Sequence, residues 1–383
     1  MDDPVDDLIV AEAPAGARHI WVLDRPGLIA PARELAPAAA WCDDLRELRG
    51  LAGGHSGTAD SPLRPDRPVG ADGPYRPNGP VGADGSAAPL GSDPVIANPL
   101  VDDLAPHQIW MELPQSLDAL DETLSALHAL AGRHGVTDLQ VVAGGRIKRM
   151  NRSMNEVAAR YFDQVHASLG RRRARVLHFA GPRSRPARGS GWPRRNRIDS
   201  LDVEVVAHGG VFHVAGLDAG TGLLLSQLET IGRQLPADRP AEVLDLGCGN
   251  GVIAASVARR FGEAVRVAAT DVSWLASDSA RLTAAASGVE VAVSQADGLE
   301  SVADASLDLI LTNPPFHRGT ARDSAPTLRM LAEAARVLRP GGQLWAVYNS
   351  HLPWARHLAE DLGPTRQVSR NRAYTVTRTV LAG

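Results

Sequence analysis

The sequence predicts an α/β protein whose second half is a doubly wound, mostly parallel sheet. Three observations carry this. From Leu201 onward, short aliphatic runs alternate regularly with helical ones. The first of those runs opens into a glycine-rich turn, "VLDLGCGNG" (Val243 to Gly251), where such a sheet receives a ligand. At 383 residues, the chain is long enough for two domains with separate cores.

In order, "AEVLDLGC", "VRVAATD", "VEVAVSQAD", "LDLILTN" and "QLWAVYN" read as strands, each aliphatic and each ended by a turn-forming or polar residue. Between and after them, "NGVIAASVARRFG", "APTLRMLAEAARVL" (closing at "RPGG") and "PWARHLAEDLG" have helical spacing. "RQVSRN" and "AYTVTRTVLA" are too close together for a crossover helix, so they form a hairpin and give the sheet an antiparallel end. That makes seven strands.

The first half begins with mixed strand and helix, from "HIWVLD" to Arg49. Composition then changes: Gly53 to Pro94 is rich in Pro and Gly and repeats "PVGADG" at Pro68 and Pro80. Such a stretch buries too little apolar surface to offset its chain entropy, and it is expected to be a disordered insertion in a loop. Globular patterning resumes with "HQIWMELP" and the helical "LDALDETLSALHALAGRHG". From Arg146 to Arg197, fifteen basic residues face two acidic ones, Glu156 and Asp163, a formal +13 in a chain of net charge −4. All but Lys148 of the 40 basic residues are arginines, which reflects codon usage, but codon usage does not gather them in one segment. A segment so polarised is expected to face a polyanion. Its end, "GPRSRPARGSGWPRRNRID", reads as a linker. The expected division is an N-terminal domain over 1–180, a basic linker over 181–200 and a second domain over 201–383.

Two cysteines, Cys42 and Cys248, make no disulfide framework, and the acidic start "MDDPVDDLIV" has no basic and apolar signal pattern. No apolar run approaches the ~20 residues of a membrane helix. A cytoplasmic protein without membrane contact is expected. The twelve histidines match no metal-ligand spacing, so no metal is expected.

Gly247, Gly249 and Gly251 let the backbone turn sharply against a ligand. A dinucleotide fingerprint needs Gly-x-Gly-x-x-Gly, and here Val252 stands where its last glycine belongs. Asp245 at the strand end would repel a pyrophosphate, so a cationic ligand suits better. Asp271 ends the next strand, placed to accept from ribose hydroxyls. Asp297, ending the third, is placed to meet an adenine amino group. Ammonium, ribose and adenine together describe S-adenosylmethionine. The cofactor set expected is Asp245, Gly247, Cys248, Gly249, Gly251, Asp271, Asp297, Gly298 and Asn313.

The fourth strand ends in "NPPF". A residue before proline is pushed into extended geometry, so Pro314 pins Asn313 and Pro315 pins Pro314. The Asn313 side-chain oxygen and the Pro314 carbonyl then aim at one point. A planar nucleobase amine is a poor nucleophile, because its lone pair is delocalised into the ring. Two acceptors on its two hydrogens draw the nitrogen toward tetrahedral geometry and turn the lone pair on a sulfonium methyl. Phe316 is expected to stack on the base, which must be single-stranded or flipped. Asn313, Pro314 and Phe316 are thus the expected catalytic residues, with Pro315, Phe316 and His317 against the substrate. His317 reads equally as a turn cap.

"DLGCGNG" and "NPPF" resemble the first and fourth motifs of the class I methyltransferases, over Leu217 to the C-terminus. With "LDAGTGLLL" (Leu217 to Leu225), "NPPFH", "VYNSHLPW" and "AGGRIKRMNRSMNEVAARYF" (Ala143 to Phe162), the chain resembles the bacterial ribosomal RNA guanine-N2 methyltransferases, small subunit methyltransferase C and large subunit methyltransferase G. The resemblance implies a Rossmann-like catalytic domain after a degenerate methyltransferase-like domain. "VLDRPGLIA" (Val22 to Ala30) can be set against "VLDLGCGNGVIA" with three residues missing, and Glu112-Leu113-Pro114-Gln115 stands where "NPPF" would fall. The degenerate half is expected to hold RNA or shield its neighbour. Implied partners are ribosomal RNA or a ribosomal subunit, with the enzyme a monomer. "NPPF"-like motifs also serve adenine N6 in nucleic acid and glutamine N5 in protein, and these remain alternative substrates. A non-catalytic RNA-binding protein is a further alternative, which the intact Asn313 weighs against.

Overall fold

The computed structural model describes residues 3–51, 95–186, 191–314 and 325–382. The chain divides into two compact units, one ending at Trp192 and the other beginning at Pro193. The Pro/Gly-rich stretch assigned to disorder lies outside the described residues.

Unit 1 runs α1 (Pro4–Glu12), β1 (Ile20–Leu23), α2 (Ile29–Leu35), β2 (Ala38–Trp41), α3 (Leu45–Leu51) and β3 (Val95–Ile96). It continues with β4 (Gln108–Glu112), α4 (Leu117–Arg133), β5 (Gln140–Arg146), α5 (Arg152–Ala158), β6 (Phe162–Ala167) and β7 (Ala174–Pro182). Its strands are ordered β3-β2-β1-β4-β5-β7-β6. Strands β1 and β2 are buried throughout, as befits parallel strands covered on both faces. Sequence patterning assigned no element before Arg18, yet α1 forms. Asp3 caps it through Val5 N (2.9 Å), Pro4 opens it, and Val5, Leu8 and Ile9 enter the core.

Unit 2 runs β8 (Arg194–Ile198), β9 (Val203–Ala207), α6 (Ala219–Leu225), α7 (Leu228–Gly232), β10 (Ala241–Leu246), α8 (Val252–Phe261), β11 (Val265–Asp271), α9 (Trp274–Ser287) and β12 (Ala292–Gln295). Then come β13 (Leu307–Thr312), α10 (Ala325–Ala332), α11 (Ala334–Val337), β14 (Leu338–Asn349), α12 (Trp354–Asp361), β15 (Thr365–Arg370) and β16 (Tyr374–Val380). Its seven strands lie in the order β12-β11-β10-β13-β14-β16-β15. The first five are parallel, and β16 is antiparallel to both β14 and β15. One core packs Val243, Ile253, Leu309 and Trp345; a second packs Leu244, Ile310, Leu344 and Tyr348. Alternate residues of one strand thus feed opposite faces of the sheet.

The two sheets share one permutation, strand for strand, and β7, like β16, is the antiparallel member between its neighbours. The degenerate-copy expectation therefore has its counterpart in topology.

Three expectations differ from the structure. Arg194 to Ile198, assigned to a linker, is a strand paired antiparallel with β9, so unit 2 begins at Pro193. Its side chains are mostly exposed, so it carried no apolar signal of its own; β9 supplies the burial. "RPGG" does not close a helix but lies inside β14, at an irregularity in the pairing with β13 between Leu307 and Leu309. Strand β12 ends at Gln295, two residues before Asp297. No helix among the described residues is long and apolar enough to cross a membrane.

Candidate active site at the β10 and β13 strand ends

In unit 2 the strand order reverses between β10 and β13, so their carboxyl ends flank the crevice where an open α/β sheet binds ligands. Asp245 lies opposite Leu311 in the register, and Asn313 follows two residues later. The Thr312 hydroxyl donates to the Leu246 carbonyl (2.7 Å), fastening the end of β13 to the start of the glycine turn.

The turn is shaped by its three glycines, each at positive φ: Gly247 at 71°, Gly249 at 53° and Gly251 at 76°. They serve two purposes. A Cβ on Gly247 or Gly249 would meet no atom within 4 Å, so these two border open space. A Cβ on Gly251 would lie 2.6 Å from Ala280 Cα, so this glycine lets α8 begin against α9. The turn hangs from β11: Gly247 and Cys248 donate to the Thr270 carbonyl (2.9 and 3.0 Å), and Gly249 N donates to Asp271 Oδ2 (3.0 Å). Asp271 Oδ1 accepts from Ser273 N (3.0 Å), so this carboxylate is built into the turn. Asn250 also binds, its amide donating to the carbonyls of Val214 (2.8 Å) and Gly216 (2.9 Å). Sequence reasoning gave Asn250 no role, and the contact is with a loop more than thirty residues away.

Asp245 is 1% exposed. Its Oδ2 accepts from Ala254 N (3.0 Å), while Oδ1 is buried with no hydrogen-bond partner among the described residues. Burial pushes its carboxyl up to about 7 against the pull of the Ala254 hydrogen bond, and Asp271 adds to the rise. Cys248 is likewise buried, and burial holds its thiol well above the ordinary value, with Asp271 and Asp245 contributing. A thiol so placed packs and does not react. Asp297 is half-buried, and its N–H donates to Glu300 Oε1 (3.3 Å). Gly298 follows at φ 60° beside Met330.

Asn313 is held from behind. Its Nδ2 donates to Asp218 Oδ2 (2.9 Å) and to the Thr221 hydroxyl (2.8 Å). Its Oδ1 is buried and has no hydrogen-bond partner among the described residues. Pro314 is buried beside it. Pro315, Phe316 and His317 lie outside the described residues. A cavity of about 260 Å³ near Arg239, Asp308 and Gln343 opens beside the start of β13, the wrong end of the strand for this crevice.

Unit 1 treats the equivalent place differently. Arg25, in the turn after β1, donates through Nε to Asp6 (2.7 Å) and through one terminal nitrogen to Glu112 at the end of β4 (2.6 Å), while the other pairs with Asp3 (3.0 Å). The switch point of this sheet therefore holds the protein's own guanidinium, on the wall of a cavity of about 630 Å³ that Asp3 and Glu112 also line.

Residues 202–378 match the family model described as Methyltransferase small domain, and residues 92–183 match the RLMG N-terminal domain. The chain is 36% identical over 272 residues to the Ribosomal RNA large subunit methyltransferase G of Ectopseudomonas mendocina, covering 70% of each chain. It is 37% identical over 284 residues to the protein of that name from Streptomyces coelicolor, covering 71% of each. The chain belongs to the ribosomal RNA large subunit methyltransferase G family. Its fold is shared by the T. thermophilus 16S rRNA N2 G1207 methyltransferase (RsmC), solved in complex with AdoMet and guanosine, with a TM-score of 0.73 and 19% identity over 99% of this chain and 92% of that one.

S-adenosylmethionine is the family's cofactor, and the crevice fits it. A buried carboxylate oxygen without a donor is costly, and a cationic ligand above the turn relieves that cost. The open space over Gly247 and Gly249 admits a ligand against bare backbone.

Proposed function

We propose that this enzyme transfers a methyl group from S-adenosylmethionine to the exocyclic N2 of a guanosine in large-subunit ribosomal RNA. The relatives' name supplies the subunit, and the guanosine N2 assignment follows the T. thermophilus protein of the same fold. One observation in this chain supports the chemistry most: Asn313 Oδ1, a neutral acceptor at the end of β13, buried and without a donor of its own among the described residues.

When bound, the cofactor supplies a methyl group made electrophilic by its sulfonium. Asp245 and the open turn at Gly247 and Gly249 would hold its amino-acid end, Asp271 its ribose, and Asp297 with Gly298 its adenine. Asn313 Oδ1 and the Pro314 carbonyl each accept one N–H of the guanine amine, so the nitrogen lone pair leaves conjugation and faces the methyl. As the N–C bond formed and the sulfonium S–C bond broke, releasing S-adenosylhomocysteine, positive charge would pass from sulfur to nitrogen, where the two oxygens would already be oriented to meet it. The extra proton then leaves to solvent. Phe316, Pro315 and His317, which lie outside the described residues, would take the substrate role that their motif implies.

The RNA backbone meets unit 1. Much of the +13 segment is neutralised within the fold: Arg146, Arg160 and Arg172 pair with Asp3, Asp121 and Asp7, and Arg195 and Arg197 with Glu204 and Asp202. On the wall of the cavity of about 630 Å³, which Asp3, Arg25, Glu112 and Arg146 also line, stand Lys148, Arg149 and Arg173, outside those pairs. These form the phosphate-binding face. We take the enzyme to be a cytoplasmic monomer, in which one chain carries both like-ordered sheets.

The test is a nucleoside digest of ribosomal RNA from strains with and without the gene, read by mass spectrometry. N2-methylguanosine should be lost from large-subunit RNA without the gene. An unchanged digest, or loss of N6-methyladenosine in its place, overturns the assignment.

A further inference from the structure

Asp218 caps α6. Its Oδ2 accepts from Gly220 N (2.9 Å) and Thr221 N (3.0 Å), the ordinary work of an N-cap aspartate. The same oxygen takes a third donor that capping does not require, Asn313 Nδ2 at 2.9 Å. On its other oxygen, Tyr374 Oη approaches at 3.4 Å and His213 Nε2 at 3.5 Å. The residue is 7% exposed.

An asparagine side chain can offer its oxygen or its amide hydrogens, and the two differ little in shape. A carboxylate can only accept. With Asp218 behind it, Asn313 must turn its NH₂ inward, where Thr221 Oγ1 accepts the second hydrogen at 2.8 Å. Both amide hydrogens are then committed, and Oδ1 has one direction left. The charge behind the amide also polarises it, so a hydrogen bond accepted by Oδ1 is strengthened.

We infer that Asp218 is a positioning residue for methyl transfer: by fixing and polarising the Asn313 amide it makes the site accept an amine and reject a carbonyl edge. This rests on the clamp described under Proposed function. It gives "LDAGTGLLL" a chemical role in addition to its helical one. A guanine turned to present O6 instead of N2 would set one oxygen against another.

The experiment uses the full-length protein on rRNA from a strain lacking the gene, with single-turnover rates and cofactor Kd measured for Asp218→Ser, Asp218→Asn, Asn313→Ala and the double variant Asp218→Ser/Asn313→Ala. Serine and asparagine are both good caps, so the unfolding midpoint should barely move. Transfer should slow by about ten- to a hundred-fold in each Asp218 variant, the range for losing one hydrogen bond to a charged group, at unchanged cofactor Kd. In the double variant Asp218→Ser should add nothing, because the residue it orients is gone. A wild-type rate in Asp218→Asn, or losses that multiply in the double variant, overturns the inference while leaving the clamp intact. A wild-type rate in Asn313→Ala overturns both. Methylation of a nucleoside other than guanosine at N2 removes only the substrate assignment.

Discussion

The three motif glycines should fail in different ways when given a methyl group. All sit at positive φ, so alanine costs about 1–2 kcal/mol at any of them. At Gly251 the new Cβ also meets Ala280 Cα at 2.6 Å and its Cβ at 2.9 Å, and the backbone of α9 cannot swing aside as a side-chain tip does. Overpacking of that kind adds about 1–3 kcal/mol, so Gly251→Ala should destabilise by roughly 2–5 kcal/mol. At Gly249 the Cβ meets nothing within 4 Å, and the stability cost should stay at about 1–2 kcal/mol. The open space it fills is assigned to the cofactor, so affinity should fall at least about tenfold, or ~1.4 kcal/mol. Urea denaturation and calorimetric titration with S-adenosylmethionine, on both variants, give the four numbers needed. Equal stability losses would refute the packing role of Gly251. Wild-type cofactor affinity in Gly249→Ala would refute the placement of the ligand over the turn.

Three further outcomes follow from charges. Burial raises Asp245 to about 7 in the folded protein against an ordinary value of 3.8, so the native state holds a proton that the unfolded chain has lost. Stability without cofactor should therefore fall as pH rises from about 4 to about 7, and urea midpoints of Asp245→Asn should show a weaker fall; an identical pH profile in the variant would contradict this. Arg25→Met leaves Asp3, Asp6 and Glu112 facing one another, and since the Arg25 side chain is only 14% exposed, the loss should approach the ~3–5 kcal/mol of a broken buried pair. Cofactor binding should stay at one per chain in that variant, and a second site would show that the guanidinium alone blocks unit 1. RNA affinity should fall with salt by about 0.7 log units per log unit for each phosphate neutralised, and replacing Lys148, Arg149 and Arg173 with alanine should flatten the slope by about 2. A salt response identical to wild type removes these residues from the RNA face.

The fold of unit 2 is legible because its central parallel strands, β10 and β13, are buried on both faces and read as aliphatic runs, with glycine and proline marking their ends. Asn313 was legible for a local reason, the prolines that follow it. What orients Asn313 was not, because Asp218 lies 95 residues away and only the crossover of strands brings it near. The different duties of Gly249 and Gly251 were hidden for the same cause, since Ala280 belongs to another helix. Helix α1 was missed through its weak amphipathicity, although Asp3 before Pro4 is a helix-start signal that could have been read. Strand β8 reads as linker in the sequence because four consecutive exposed positions, Arg194 to Arg197, give no periodicity. The arginine-rich segment is legible as charge but not as surface, since some of its ion pairs, Arg160–Asp121 and Arg172–Asp7 among them, are made with carboxylates distant in sequence.

The central claim is that the Asn313 carboxamide oxygen takes a hydrogen from the amine that is methylated. It is tested most directly by single-turnover transfer to rRNA in Asn313→Ala, with cofactor Kd measured on the same preparation. Loss of one preorganised partner corresponds to ~3–4 kcal/mol, so the rate should drop by about 10²–10³ at an unchanged Kd. A rate within a few-fold of wild type, or a rate lost only in step with cofactor binding, would contradict it.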